Sequence, residues 1–468
     1  QLCPPCAELN YTRRTRTCDL AGRVCLVTGG RVKIGYQVVL KLLRSNATVI
    51  ATTRFPRDAA ARYAKEQDHD QWSGRLHIFG LDFRFIPGVE AFCTFLCGRF
   101  DRLDAIINNA TQTVRRPPAY YAHLIGAERQ PLHLLPPAQQ STLRSDKELG
   151  EQREHTRRLP VLGGGGGGGG GGNPGRVADI ESSSSSSDDG NVRKKRSHAA
   201  PVPAAQASKR QKTAAATTSG ADHIDLEVDA SVGGETDQTS VQTNSASLSS
   251  SSSSSSSSGA GADFGNLTSA DMSQVQLQQG DGMESAAGLF PENQLNQSGQ
   301  QVDLRTHNSW LLKLDEVQTP ELLEVLTINT MAPFILNGRL KKLMCSPACR
   351  GVDRYIVNVS AMEGKFYRFK TPNHPHTNMA KAAINMMTRT SSSDYAKSRI
   401  YMNAVDTGWI NDENPLEKAQ RVFKTHDFQT PIDEIDAAGR ILDPVFSGIL
   451  DGCKEHGKFY KDYKETEW

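Results

Sequence analysis

From Ala21 onward two kinds of apolar pattern alternate along the chain. Short β-branched runs at 24–27, 48–52, 76–79 and 103–107 predict buried parallel strands. The first three are each followed by a segment whose apolar positions recur at helical spacing, at 34–43, 57–65 and 89–100. The alternation breaks off near residue 136 and resumes after 300. There the pattern predicts a long helix over 321–343, a strand over 355–359, a helix over 378–395, a strand over 400–405 and a helix over 434–442, with a short edge strand at 457–460. Strand and helix in strict alternation imply βαβ units and a parallel sheet. Taken alone, each half would keep only three or four strands and an exposed sheet edge. The fold class expected is therefore α/β: one doubly wound, Rossmann-like parallel sheet, interrupted by an insertion. The organisation reads as an N-terminal extension (1–20), a first part (21–135), an insertion (136–300) and a second part (301–468).

Composition bears mainly on the insertion. Glycine is unbroken over 163–172, serine over 182–187 and 249–258, and aromatic residues nearly vanish between 136 and 288. Such a stretch cannot bury enough apolar surface to offset chain entropy and is expected to be disordered. The chain as a whole is nearly charge-balanced, 54 Lys and Arg against 52 Asp and Glu, which speaks against nucleic acid or a membrane surface as partner. No apolar run approaches the ~18 residues needed to cross a bilayer. The 9 cysteines are odd in number and scattered, as suits a reducing compartment. Cys3 and Cys6 form a C-x-x-C, but no set of four ligands accompanies them, and no metal is expected.

Two features carry candidate chemistry. The first strand runs into Thr28-Gly29-Gly30-Arg31-Val32-Lys33-Ile34-Gly35, and a helix follows. Glycines let backbone approach a pyrophosphate, and the helix N-terminus offers free N–H groups; the alternative is a plain tight turn. At the end of the second strand, where NAD-preferring folds place an acid against the ribose hydroxyls, stands Arg54. A guanidinium clamps a 2′-phosphate instead. With Arg31 and Lys33 nearby, the expected cofactor is NADP(H) rather than NAD(H).

The turn, Leu81-Asp82-Phe83 after the third strand and Asn108-Asn109-Ala110 after the fourth resemble the short-chain dehydrogenase/reductase family, whose turn is T-G-x-x-x-G-x-G and whose fourth strand ends N-N-A-G. Asn329 in Asn329-Thr330-Met331-Ala332-Pro333-Phe334, the strand ending Val359-Ser360-Ala361, and Lys381-Ala382-Ala383 resemble the family's later motifs. The resemblance covers Leu20 to about Val114 and Trp310 to near the C-terminus. It implies cofactor-binding roles for Thr28, Gly29, Arg31, Lys33, Ile34, Gly35, Arg54, Asp82, Asn108, Ala110 and Lys381, with Asp82 at the adenine pocket. It implies that Lys381 holds the nicotinamide ribose and that Asn329 holds a water in a proton relay.

The departures fall on catalytic positions. The family's tyrosine, four residues before the lysine, is Thr377. Its serine aligns with Ala361, beside Ser360, and the middle glycine of its turn is Lys33. A threonine hydroxyl is a poor proton donor near neutral pH. The neighbouring imidazoles of His376 and His374 have suitable pKa values, and Tyr367 is a further donor nearby. The catalytic candidates are Asn329, Lys381, Ser360, Thr377 and His376.

Arg115 and Arg116, with Tyr120 and Tyr121, follow the fourth strand and suggest a pocket for a small, anionic substrate; a surface loop is the alternative. Within the insertion, 193–196 and 209–212 form two basic clusters shaped like a bipartite signal for a nuclear import receptor, and 182–187 followed by two aspartates suits an acid-directed kinase. Two functions are in view: an NADP(H)-dependent oxidoreductase acting on a small carbonyl or hydroxyl substrate with an atypical proton donor, or a catalytically degenerate relative that binds NADP(H) and regulates. The resemblance also implies a homo-oligomer, in the cytoplasm or nucleus.

Overall fold

The computed structural model describes residues 2–158, 267–282, 286, 288–366, 369–410, 413–426 and 430–468. In chain order the elements are α1 (Pro4–Thr15), β1 (Val24–Thr28), α2 (Lys33–Arg44), β2 (Thr48–Thr53), α3 (Pro56–Tyr63), α4 (His69–Trp72), β3 (Leu76–Gly80), α5 (Ile86–Arg99), β4 (Ala105–Asn108), α6 (Pro118–Glu128) and α7 (Pro137–Arg158). After the undescribed stretch follow α8 (Ser269–Met272), α9 (Thr319–Leu326), α10 (Ala332–Met344), β5 (Arg354–Ser360), α11 (Pro375–Lys397), β6 (Ile400–Asp406), α12 (Leu416–His426), α13 (Glu434–Leu450), β7 (Phe459–Lys461) and β8 (Lys464–Thr466).

The strands form one eight-stranded sheet in the order β3-β2-β1-β4-β5-β6-β7-β8, parallel throughout except for β8. β4 pairs with β5 from Ala105↔Tyr355 to Asn108↔Asn358, so the two halves of the chain share one sheet across the insertion. All residues of β1, β4, β5 and β6 are buried, which is why apolar residues dominate them, interrupted by buried polar ones such as Asn358 and Asn403. One face is covered by α2, α3 and α13, where Val38, Leu42, Ala59, Ile441 and Val445 pack on Cys25, Val49 and Val357. The other is covered by α5, α10 and α11, where Phe92, Leu96, Leu336 and Leu340 pack on Leu26, Ile106 and Ile356. The chain crosses from one side of β1 to the other between β3 and β4, so the crevice above the carboxyl ends of β1 and β4 is the topological switch point where such sheets bind ligands.

The insertion is narrower than the expected 136–300. α7 packs on β3 and α3, with His77 Nδ1 2.9 Å from Ser145 Oγ and the Gly80 N–H donating to Asp146 Oδ1 at 2.7 Å. Residues 267–282 and 288–300 likewise join the fold: Ser269 Oγ donates to the Arg54 carbonyl, and Arg62 donates to the carbonyls of Ser298 and Gly299. Buried Leu143, Leu149 and Ala270 are too few and too widely spaced among polar residues to mark these segments by composition. The basic clusters and serine runs lie outside the described residues, as does Tyr367. The expected extension 1–20 contains α1, clamped to α13 by Arg13–Asp443 (2.8 Å), Arg14–Asp433 (2.6 Å) and Arg14–Asp436 (2.7 Å). Among the described residues, no helix is long and apolar enough to cross a membrane.

Candidate cofactor and active site

The glycine turn closes tightly between β1 and α2. Gly29 has φ +73°, and a Cβ there would press on Ala110; a Cβ on Gly35 would collide with the Gly29 carbonyl. The Thr28 hydroxyl accepts the N–H groups of Asn109 (3.0 Å) and Ala110 (2.9 Å), and Asn109 Nδ2 returns a bond to the Thr28 carbonyl (3.0 Å). The β1 and β4 termini are thus locked together at the switch point. The N–H groups of Gly29 and Gly30 are taken by the Thr52 carbonyl, so a phosphate would meet the first turn of α2 instead. Ile34 anchors that turn against the core. Lys33, in place of the family's middle glycine, sits at φ +52°, in the left-handed region that disfavours side chains.

At the adenosine end the expected side chains are largely engaged by the protein itself. Arg31 is buried and pairs with Asp58 at 2.7 Å. Asp82 is buried and held by Arg84 at 2.7 Å; burial alone would raise its carboxyl, but the guanidinium more than offsets this and keeps it below the usual range. Asn108, expected to line the cofactor, turns inward: its Nδ2 donates to the Oδ1 atoms of Asn337 and Asn358, both at 2.8 Å, in a buried amide cluster under α10 and α11. A buried amide needs partners, and the sheet–helix interface supplies them. Arg54 is half-buried, its guanidinium 4.4 Å over the Tyr121 ring, with one hydrogen bond to the Tyr121 hydroxyl among the described residues (2.7 Å). Its remaining donors suit a phosphate.

The arginines expected to meet an anionic substrate are both engaged by carboxylates of the protein. Arg115 is buried between Asp281 (2.6 Å) and Glu324 (2.7 Å), and Arg116 pairs with Asp303. A charged side chain inside the protein persists when paired, and these are. Tyr120 and Tyr121 lie in α6 rather than in a loop, packed with Phe55 and Phe290.

The nicotinamide end is different. Lys381 is buried and donates to the Val359 carbonyl at 3.0 Å; burial lowers its pKa to about 8. On the next strand residue is Ser360, and one helical turn earlier is Thr377. Both hydroxyls are buried and without a hydrogen-bond partner among the described residues. His376 points elsewhere: it is buried with Nε2 3.5 Å from Glu321 Oε1, between α11 and α9. His374, at φ +42°, stacks on Trp310 with ring centroids 3.8 Å apart. Asn329 lies in a π-helical turn, Thr327–Met331, that joins α9 to α10. Its side chain brackets the backbone of Gln112, accepting from N–H at 2.7 Å and donating to C=O at 3.0 Å. The signal for that turn was Pro333, which has no N–H to give the Asn329 carbonyl four residues back. Glu321, Glu324 and Asp281 are the site-forming residues that sequence reasoning missed. Among the described residues no group of three or more His, Cys, Asp or Glu is placed to hold a metal ion.

Residues 23–122 match the family model of the short chain dehydrogenases. Over this stretch the chain is similar to that family. An uncharacterised protein, R665, of Acanthamoeba polyphaga mimivirus is 23% identical over 475 residues, covering 99% of this chain and 70% of the viral protein. Among solved structures, an NADPH-bound carbonyl reductase from chicken fatty liver is 15% identical with TM-score 0.44, over 96% of this chain and 100% of that one. RhlG of Pseudomonas aeruginosa, complexed with NADP, is 11% identical with TM-score 0.42, over 94% of each chain.

Proposed function

We propose that the chain is an NADP(H)-dependent oxidoreductase acting on a small carbonyl or hydroxyl substrate, with Lys381 as the proton donor in place of the missing tyrosine. The observation that carries this is the nicotinamide end: a buried lysine bonded to the Val359 carbonyl near the end of β5, and two buried hydroxyls, Ser360 on the next strand residue and Thr377 one helical turn before the lysine, that have no partner within the described protein. Buried polar groups without partners are costly, and a bound ligand would satisfy them. A lysine with a pKa near 8 is matched to proton transfer near neutral pH. The ammonium would give its proton to the substrate oxygen as hydride arrives from the nicotinamide, and Ser360 and Thr377 would hold that oxygen. Arg54, whose one hydrogen bond among the described residues is to Tyr121, would take the 2′-phosphate, and the first turn of α2 the pyrophosphate. His374 is the weaker donor, because its ring stacks on Trp310 and its Nδ1 lies 2.9 Å from the Trp310 carbonyl; His376 lies between α11 and α9 with Glu321 as its nearest charged neighbour, at 3.5 Å.

The test is NADPH oxidation against a panel of small aldehydes and ketones, anionic ones included. Turnover lost in Lys381→Met but kept in His376→Gln supports the reading; turnover kept in Lys381→Met contradicts it. The engagement of Arg31, Asp82 and Asn108 favours a second reading, a regulatory relative without turnover, which the same assay separates. We also propose a homo-oligomer through α9, α10 and α11, where Leu323, Met331, Phe334, Met379 and Met386 are exposed. A monomeric mass in solution would count against it.

A further inference from the structure

The loop after β4 is shaped by a part of the chain more than 150 residues away. Arg115 places its guanidinium squarely on Asp281, Nη1 to Oδ1 at 2.6 Å and Nη2 to Oδ2 at 2.7 Å, while its Nε donates to Glu324 Oε2 at 2.7 Å. The side chains of all three are at most 6% exposed. The backbone is held as well: the Arg115 N–H donates to Ser309 Oγ at 2.8 Å, and Arg305 Nη2 donates to the Arg115 carbonyl at 3.0 Å. Arg116 pairs with Asp303. Glu324 is the hub. It also accepts from Gln112 Nε2 at 3.3 Å and from Arg84 Nη1 at 3.1 Å, and Arg84 carries Asp82. Asp281 is itself fixed by the N–H groups of Leu277 (2.9 Å) and Gln278 (3.1 Å).

A two-pronged arginine–carboxylate pair sets direction as well as energy. This one joins the stretch that re-enters the fold after residue 266 to the loop that leads away from Asn109 and Ala110 at the switch point. The same loop is bracketed at Gln112 by Asn329. A loop fixed in advance loses less freedom when a ligand arrives, and affinity gains accordingly.

We infer that the re-entering stretch is part of the dinucleotide site, and that Asp281 is a positioning residue that holds the loop 110–117 for the cofactor through Arg115. The inference rests on the proposed cofactor reading. It makes nucleotide affinity depend on a residue that touches no nucleotide, contributed from beyond the insertion. It also means that a deletion spanning 136–300 removes part of the site, whereas one confined to 159–266 spares it.

The experiment is calorimetric titration of NADPH into the full chain as wild type, Asp281→Asn and Glu90→Gln, paired with hydrogen exchange of the backbone amides. Glu90 lies in an exposed pair with Arg339 on the far side of α5 and serves as the control for charge loss. Asp281→Asn is expected to raise the Kd for NADPH about tenfold or more, and to speed exchange within 110–117 but not within Val24–Thr28 or Arg354–Ser360. Glu90→Gln is expected to change neither. Should Asp281→Asn fail to fold, Asp303→Asn, at the milder Arg116 pair, is expected to act in the same direction by about threefold. Wild-type affinity in a folded Asp281→Asn, or unchanged exchange in the loop, overturns the inference alone. If the wild type binds neither NADPH nor NADH, the cofactor reading falls and takes this one with it.

Discussion

The two ends of the crevice above β1 and β4 are built on opposite terms. At the adenosine end, Arg31, Asp82 and Asn108 each have protein partners within 2.8 Å, and among the described residues Arg54 has a single hydrogen bond, to the Tyr121 hydroxyl. At the nicotinamide end, among the described residues, Ser360 and Thr377 are buried with unpartnered hydroxyls, and Lys381 has one carbonyl for its three donors. The first arrangement is stable without a ligand and gains little polar bonding from one. The second leaves desolvated groups uncompensated until something docks. Recognition of the nucleotide should therefore lean on Arg54 and the α2 N-terminus at one end, and chemistry on Lys381 at the other.

The largest effect should come from the nicotinamide end. Lys381→Met should lower turnover by about 10²–10⁴-fold, the usual loss on removing a general acid, read by NADPH oxidation at saturating substrate. Next is the hub at the adenosine side: Glu324→Gln leaves Arg84 and Arg115 under-compensated in the interior and should cost about 3–5 kcal/mol of stability, the cost of breaking a buried pair, read by denaturant unfolding. Arg54→Ala should weaken NADPH binding about tenfold while leaving NADH binding unchanged, since only the 2′-phosphate is lost.

The pH dependence separates the ends again. Lys381 is protonated below about 8 and neutral above it, so carbonyl reduction should fall as pH rises through about 8. At the other end Asp82, Asp281 and Asp303 are held below their ordinary values: burial pushes each up, and the arginines beside them more than offset it. Carboxyls depressed in the folded state stabilise it above their unfolded pKa of about 4, and that stability is lost as pH falls through and below this value. Acid unfolding should thus begin below about pH 4, and earlier in Glu324→Gln. The smallest effect is expected at the turn: Lys33→Gly relieves a left-handed lysine and should stabilise by about 1 kcal/mol.

The sheet was legible because its strands are buried on both faces and carry apolar runs, as Cys25–Val27 and Tyr355–Val357 do. What the alternation of patterns missed were elements held by polar contacts. α1 grips α13 through arginines, α7 shows β3 only a few apolar residues, and the re-entering stretch docks through Asp281, Asp303 and Ser269. Charge pairs leave no period in the sequence. At the site, the glycine turn and Lys381 were legible because backbone geometry and a motif demand them. The partners that redirect Arg115, Asn108 and His376 were not, because Asp281, Asn337 and Glu321 reach them only through the tertiary fold.

The most direct test is titration of NADPH and NADH into the full chain. The account predicts that NADPH binds more tightly than NADH and that Arg54→Ala erases the difference. Binding of neither nucleotide, or equal binding that Arg54→Ala leaves unchanged, would contradict it.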